Sequence, residues 1–461
     1  MKIIATLGAI NEYMKSKGYT GEVSFRGETS HLVRAANNQI SLNTSEQGAK
    51  FFITLQDGKK FSNGSVATAI ENIEEIKKAV DVVAAKLNHV PQIDFATPMG
   101  TIAQERPCTA FYDERLENLD SAVMKDFFAE AVKRFAHRKT AVSGAFSCGM
   151  YEYGLINTLV TEPLYYKGSD FNIELVLQLE KDKKEIRSSQ VGESYAQYKP
   201  EELYAHIDQL LTLKETTPRE DIAPGSYDII FGRDAVADIA GLIGWLAVSG
   251  EVYEYGMGMM PKDKFKFGDK VFSDKLTIID DPESKTALFR RPFGLNGVKR
   301  GKTVLFDKGV WKTVLYSSKM DADRFGKKVD NDMNAFNPVI LPGDGPETFE
   351  EMIASCKKPT LYIPFIHYIN IPNRAKGEFT GSSRFGTLLI ENGKVKSHLY
   401  NLRLNETVFN FFGKIEWFSK KIEHSNTSNT YGLRMAEAVT LPAFMKVQGI
   451  AVTGTSNVKK D

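Results

Sequence analysis

Phe171-Asn-Ile-Glu-Leu-Val-Leu-Gln-Leu-Glu180 is the stretch that decides how this chain folds. Phe171, Ile173, Leu175, Leu177 and Leu179 take every second position, with Asn172, Glu174, Gln178 and Glu180 among the others. Successive side chains of a strand point to opposite faces, so the pattern predicts a half-buried antiparallel strand with one face on a core. Upstream, residues 22–25, 31–34 and 39–42 read as short extended segments separated by polar turns. Residues 51–55 run into Asp57-Gly58, a hairpin signal because both residues tolerate positive φ.

Helices lie between these strands. Ile3, Leu7, Ile10 and Met14 mark one face of an opening helix, and Asn11, Glu12 and Lys15 follow too soon for a signal peptide. A long helix capped by Ser65 is predicted from Ile70, Ile73, Ile76, Val80, Val83 and Leu87. A second covers 121–137, with Val123, Phe127, Ala131 and Phe135 inward, and a third covers 201–214. Pro218, Pro224 and Gly225 then punctuate a charged stretch, as linkers do. Beyond it a strand at 227–231 precedes a helix from Asp234, and the rest is rich in strands. Residues 303–306 and 310–316 flank Asp307-Lys308-Gly309 as one hairpin; 387–390 and 394–402 flank Asn392-Gly393 as another. Residues 361–371 are extended, with Pro364 placing them at an edge or bulge. Blocks of strands without βαβ alternation predict an α+β protein. Residues 1–215 form a mixed domain with an antiparallel sheet and long helices, and 225–461 form a strand-rich domain.

Composition narrows the function. The 461 residues are 42% hydrophobic and 25% charged, which describes a soluble globular chain too long for one core. Lys plus Arg number 59 against 58 Asp plus Glu, so no broad field exists for nucleic acid or an anionic membrane. Of the short basic clusters, Lys181-Asp-Lys-Lys184 is flanked by Glu180 and Glu185, and Lys420-Lys421 has Glu416 and Glu423 close by. Both read as solvated surface. The uncharged run at 359–373 holds three prolines and His367, so it is no membrane span. Cys108, Cys148 and Cys356 fit neither a disulfide framework nor a CxxC site, which points to a reducing, cytoplasmic setting.

Catalytic motifs are mostly missing. Gly297-Val-Lys-Arg-Gly301-Lys302-Thr303 has the wrong glycine spacing for a phosphate loop and leads into a strand. Ser383 in Gly381-Ser-Ser-Arg-Phe-Gly386 lacks a nucleophile elbow. The seven histidines include no HExxH pair.

Four blocks in the second half carry a family likeness. They are Gly268-Asp-Lys-Val271-Phe-Ser-Asp-Lys-Leu276-Thr-Ile-Ile-Asp280-Asp281-Pro282, Thr303-Val-Leu-Phe-Asp-Lys-Gly309-Val-Trp-Lys-Thr-Val-Leu315, Gly377-Glu-Phe-Thr-Gly381 and Gly386-Thr-Leu-Leu-Ile-Glu-Asn-Gly393-Lys-Val395. Residues 47–58 are compatible with it. In order and spacing these blocks resemble the TldD/TldE family, whose TldE branch is also called PmbA and which was historically labelled "modulator of DNA gyrase". For the TldD branch the resemblance implies a zinc-type peptidase with HExxxH on a helix and a cysteine near the C-terminus. The corresponding segment here is Leu242-Ile-Gly-Trp-Leu-Ala-Val-Ser-Gly250. Gly244 and Ser249 stand at the histidine positions, Trp245 at the glutamate, and no cysteine follows Cys356. Glycine offers no ligand atom, neutral serine is a poor zinc ligand, and an indole takes no proton from water. The expectation is a chain with no catalytic residue, metal or cofactor of its own, nearest to the TldE/PmbA branch.

That branch implies pairing with a TldD-type metallopeptidase subunit in a cytoplasmic complex that digests unfolded or modified peptides. The metal-free subunit would shape the chamber and hold an extended peptide by strand addition. The gyrase label implies an indirect effect through proteolysis, not DNA binding. Two alternatives stay open: a peptidase whose site gathers distant residues such as His367, His398 or Asp280, and a metal-independent peptide-binding homodimer. Val236, Ile239, Ile243, Leu246 and Ala247 form a buried helical stripe, and Trp245 either fills the space of the metal or is a plain core aromatic. Tyr253, Tyr255 and residues 257–260 form either a partner surface or a buried gap-filling cluster.

Overall fold

A computed structural model describes residues 2–180, 184–428 and 433–455; positions 181–183 of the first basic cluster lie outside them. The opening helix α1 (Lys2–Ser16) buries Ile3, Leu7, Ile10 and Met14, the face that its spacing predicts. It covers a seven-stranded sheet made of β1 (Thr20–Ala36), β2 (Gln39–Asp57), β3 (Lys60–Ala67), β4 (Cys108–Phe111), β5 (Thr140–Asn157), β6 (Leu164–Leu179) and β7 (Glu185–Gly192). The strand order is β3-β2-β1-β5-β6-β4, with β7 also on β6. Phe171, Ile173, Leu175 and Leu177 of β6 are buried.

The short segments expected before residue 42 are instead two long strands. Residues 26–30 look like a turn in sequence, yet they stay in register with both β2 and β5, so their backbone groups are paired on each side. Their polar side chains are accommodated because β1 divides its faces. Val23, Phe25, Val33 and Ala35 lie in the helix-covered cores, while Glu28 and Ser30 accept hydrogen bonds from Arg434 of the second half.

The next helix, α2 (Ile73–Lys86), starts later than expected. Ser65 is no cap, because it pairs with Phe52 in the β2–β3 ladder. Glu74 and Glu75 in the first turn favour the observed start through the helix dipole. After a single turn, α3 (Glu114–Glu117), α4 (Ser121–Phe135) is capped by Asp120 and buries Met124, Phe127, Phe128, Ala131 and Phe135. Met124, not Val123, begins its buried face. α5 (Pro200–Thr216) packs beside it.

The rest of the chain builds two sheets. Ten strands, β8 (Arg219–Glu220), β9 (Gly225–Gly232), β14 (Thr360–Ile363), β15 (Phe365–Asn373), β16 (Glu378–Arg384), β17 (Leu388–Glu391), β18 (Lys394–Leu399), β19 (Leu402–Thr407), β20 (Ile415–Phe418) and β23 (Phe444–Thr455), form the larger. Its order is β15-β16-β19-β23-β9-β14-β17-β18-β8, with β20 on β23. The smaller runs β12-β11-β10-β13-β22-β21, from β10 (Ile278–Asp280), β11 (Thr303–Asp307), β12 (Val310–Trp311), β13 (Pro338–Ile340), β21 (Ile422–Asn426) and β22 (Ala438–Pro442). The Asn392-Gly393 turn has φ of 53° and 73°, the left-handed pair that its hairpin needs.

Two details depart from the sequence reading. The segment around Pro364 is not all edge: β14 lies between β9 and β17, and the chain breaks at the proline before the edge strand β15. The hairpin after Gly309 also stops early at Trp311. Lys312 still donates its N–H to the Leu305 carbonyl, but residues 313–316 leave the hairpin because the Leu315 N–H donates to the Val248 carbonyl and its own carbonyl accepts from Gly250. The two halves share a core in which Leu203 and Leu210 join Ile230, Tyr362 and Phe444. Among the described residues no helix is long and apolar enough to cross a membrane.

Candidate functional site

The degenerate motif sits where a helix changes form. α6 (Arg233–Ile243) follows β9 directly and buries Val236, Ile239 and Ile243. The chain then widens into one π turn, Gly244–Val248, which carries Leu246 and Ala247 inward. Ser249 opens the short helix α7 (Gly250–Glu254). Its Oγ accepts from the Val252 N–H at 3.3 Å and its hydroxyl donates to Glu251 Oε2 at 3.3 Å. That hydroxyl is spent on capping.

The other two positions are equally unsuited to a metal. A Cβ at Gly244 would lie 3.0 Å from Phe336 Cε1, so an imidazole there would have to displace the phenyl ring. Trp245 is 41% exposed, with the Arg374 guanidinium 4.5 Å from its ring centroid. It neither fills a cavity nor joins the core, which corrects both readings of this residue. The cause is helical phase: Trp245 falls on the helix face of Asp234, Asp238 and Gly241, opposite the apolar stripe, and there it reaches solvent while the two carboxyls are covered by other elements. Among the described residues no group of three or more His, Cys, Asp or Glu side chains is arranged to hold a metal ion. Gly244, Trp245 and Ser249, the positions at which the resemblance places the motif, offer no ligand set for zinc.

Nor do His367, His398 and Asp280 meet. His367 is on β15 at one edge of the large sheet, His398 is on β18 towards the other, and Asp280 is on β10 of the small sheet. Asp280 is fully occupied: it accepts from Arg300 Nη2 at 2.6 Å, Asn331 Nδ2 at 3.1 Å and the Asn337 N–H at 3.3 Å. The aromatic and methionine cluster splits. Met259 and Met260 are buried, whereas Tyr255 and Met257 are exposed. Of the second basic cluster, Lys420 pairs with Glu347 and Lys421 with Glu423, while Glu416 is taken by Lys446.

A polar cavity of about 430 Å³ is lined in part by Ser317 and Asn334. Two of its walls are tied to the helix pair. Asn334 belongs to the single turn Met333–Ala335, next to the Phe336 that packs on Gly244. Ser317 donates from its N–H and Oγ to Glu251 Oε1 of α7, at 2.7 and 2.9 Å. The opposite wall is Arg26 of β1, and Met435 and Glu437 complete the ring.

At the other end of α6 is a second cavity of about 460 Å³, between the two halves. A buried chain of charges forms its floor. Arg187 donates to Asp234 Oδ2 at 2.7 Å, Arg233 donates to Glu423 Oε2 at 2.8 Å, and Ser425 Oγ donates to Asp234 Oδ1 at 2.8 Å. Burial alone would raise the Asp234 carboxyl, but Arg187 and Arg233 outweigh it and hold it at about 2. Asp238, one turn on, lacks that help. Burial, reinforced by the Asp234 charge, pushes it up to about 7 despite Arg187. His206 lies 3.1 Å from Ser188 Oγ, and burial with the nearby Arg233 lowers it to about 4. Sequence reasoning missed this network because its members come from separate stretches, with only Arg233-Asp234 adjacent.

With the fold and motif in view, the chain can be placed. A family model for the PmbA/TldA metallopeptidase C-terminal domain matches residues 224–454, half of the chain. The class is therefore metallopeptidase-like, and the chain belongs to the TldD/TldE/PmbA family. A metalloprotease of Methanocaldococcus jannaschii is 29% identical over 171 residues, which cover 35% of this chain and 37% of that protein. The match thus spans little more than a third of that relative. TldE from Thermococcus kodakarensis shares the fold at a TM-score of 0.79 and 16% identity, over 98% of this chain and all of that one. A Thermotoga maritima protein described as a modulator of a DNA gyrase does so at 0.80 and 16%, over 97% and 99% of the two chains. A modulator of DNA gyrase from Bacteroides thetaiotaomicron matches at 0.79 and 14%, over 98% of each.

Proposed function

We propose that this chain is a non-catalytic, TldE/PmbA-like subunit that works with a TldD-type metallopeptidase in the cytoplasmic breakdown of unfolded or modified peptides. One observation carries the reading: of the three residues that the resemblance aligns with HExxxH, Gly244 packs on Phe336, Trp245 is exposed and Ser249 caps a helix, so none is set up as a metal ligand. Hydrolysis then has to come from a second chain. The exposed Trp245, Tyr255 and Met257 give the motif end of the molecule an apolar surface suited to a partner. The edge strand β15 ends just before Arg374, which stacks on Trp245, so a peptide added to that edge would run past the degenerate motif. Three free cysteines, Cys108, Cys148 and Cys356, accord with a reducing compartment.

The test is reconstitution. Casein digestion is expected to be undetectable with the purified chain alone and to rise on the order of tenfold, over the partner alone, when a TldD-type subunit is added. Cleavage by this chain alone would sink the reading.

A further inference from the structure

One cavity is lined by a guanidinium whose hydrogen-bond donors are unused. Among the described residues Arg26 makes no hydrogen bond or ion pair; its guanidinium only lies 5.8 Å from the ring centroid of Phe52. The Asn334 amide, on the opposite wall, likewise has no side-chain hydrogen bond among the described residues. Among the described residues Glu437 is the one carboxylate lining the cavity, and it is answered by a second guanidinium. Arg291, 3% exposed, brings Nη2 to 3.9 Å from Glu437 Oε1. The Nε and Nη1 of Arg291 are buried without a partner. Arg291 is also coupled to Asp332, whose carboxylate accepts from the N–H groups of Asn296 and Asn334, so Arg291 answers the nearby carboxylates while the hydrogen-bond donors of Arg26 stay unused. A guanidinium with unused donors beside a cavity suits an anion that accepts through two oxygens.

The remaining lining says what that anion carries. Leu295, Leu433 and Met435 line the same cavity, so the anion is expected to bear an apolar group. A volume of about 430 Å³ is enough for one or two residues. We infer that this cavity is a receptor for the free C-terminal carboxylate of a peptide that ends in an apolar residue. Arg26 forms the fork on the carboxylate, Asn334 donates to it, and Arg291, paired with Glu437, leaves the hydrogen-bond donors of Arg26 for the ligand. The inference rests on the peptide-handling reading above and deepens it: the chain would select peptides by their ends and set their last residue beside Ser317 and Asn334.

The test uses the full chain alone, so its outcome is independent of reconstituted cleavage. A tetrapeptide ending in leucine, with a fluorophore on its N-terminus, is titrated by polarisation beside the same peptide with an amidated C-terminus. The free acid is expected to bind about 30-fold more tightly, the usual worth of a charge-assisted pair of hydrogen bonds. R26Q should remove that difference, and R26K should restore part of it, since lysine supplies the charge without the fork. Circular dichroism and the thermal midpoint of R26Q should match the parent. Displacement by N-acetyl-leucine but not by equal acetate would support a peptide end. Displacement by acetate alone would mean a small-anion site and overturn the proposal, as would equal binding of acid and amide, no binding, or an R26Q variant that still prefers the acid.

Discussion

Replacing Asp280 with alanine is expected to cost about 3–5 kcal/mol of unfolding free energy, the usual penalty for removing one partner of a buried ion pair. Both Asp280 and Arg300 have side chains with 0% exposure, and each oxygen of the carboxylate accepts at least one hydrogen bond. Arg300 also donates to the Arg291 carbonyl at 3.0 Å and to Asn331 Oδ1 at 3.2 Å, so it is held in place after the carboxylate is lost. The mutant buries an unpaired guanidinium in the six-stranded sheet. Denaturant titration should show a lower midpoint with an unchanged slope. A D280A protein of parental stability would contradict this. If activity were also lost from such a protein, a catalytic role for Asp280 would return.

Asp238→Asn should do the reverse, and only at one end of the pH scale. The carboxyl is held near 7 by burial and by the Asp234 charge, well above its value in an unfolded chain. Between roughly pH 4 and 7 the folded protein therefore binds the extra proton, and its stability falls as pH rises through that window. Above pH 7 the buried carboxylate carries the full penalty, about 4 kcal/mol from the shift and nearer 2 after allowance for its partial access to water. Asparagine removes that penalty. D238N is expected to be about 2 kcal/mol more stable than the parent at pH 8 and indistinguishable from it at pH 4. His206 works in the opposite direction. Its folded value of about 4 lies below the unfolded one, so its contribution is lost as pH falls from about 6.5 towards 4. The two slopes oppose each other in the parent, and D238N should uncover an acid-side loss that the parent conceals. A gain of equal size at both pH values would refute the burial of this carboxyl.

Local patterns were the legible part of the sequence. Alternation at 171–177 marked β6, four apolar residues marked the inner face of α1, and Asn392-Gly393 marked its hairpin, because each signal lies within one element. Errors came where a distant partner decides. Residues 26–30 remain in a strand because β5 and Arg434 satisfy them from far away in sequence. Ser65 pairs in a ladder, and Pro364 divides a central strand from an edge strand. The candidate site behaved the same way. The replaced motif positions were visible in one nonapeptide, but the exposure of Trp245 follows from helical phase in the assembled fold. The unpaired Arg26 became meaningful only once residues from 291 to 437 were seen around it.

Metal content tests the central claim most directly. The purified chain is incubated with excess zinc, passed through a desalting column and analysed by elemental mass spectrometry beside a TldD-type subunit treated identically. Because Gly244, Trp245 and Ser249 present no set of ligands, this chain is expected to retain below about 0.1 zinc per polypeptide while the comparison subunit keeps a full equivalent. One tightly held zinc per copy of this chain would contradict the account.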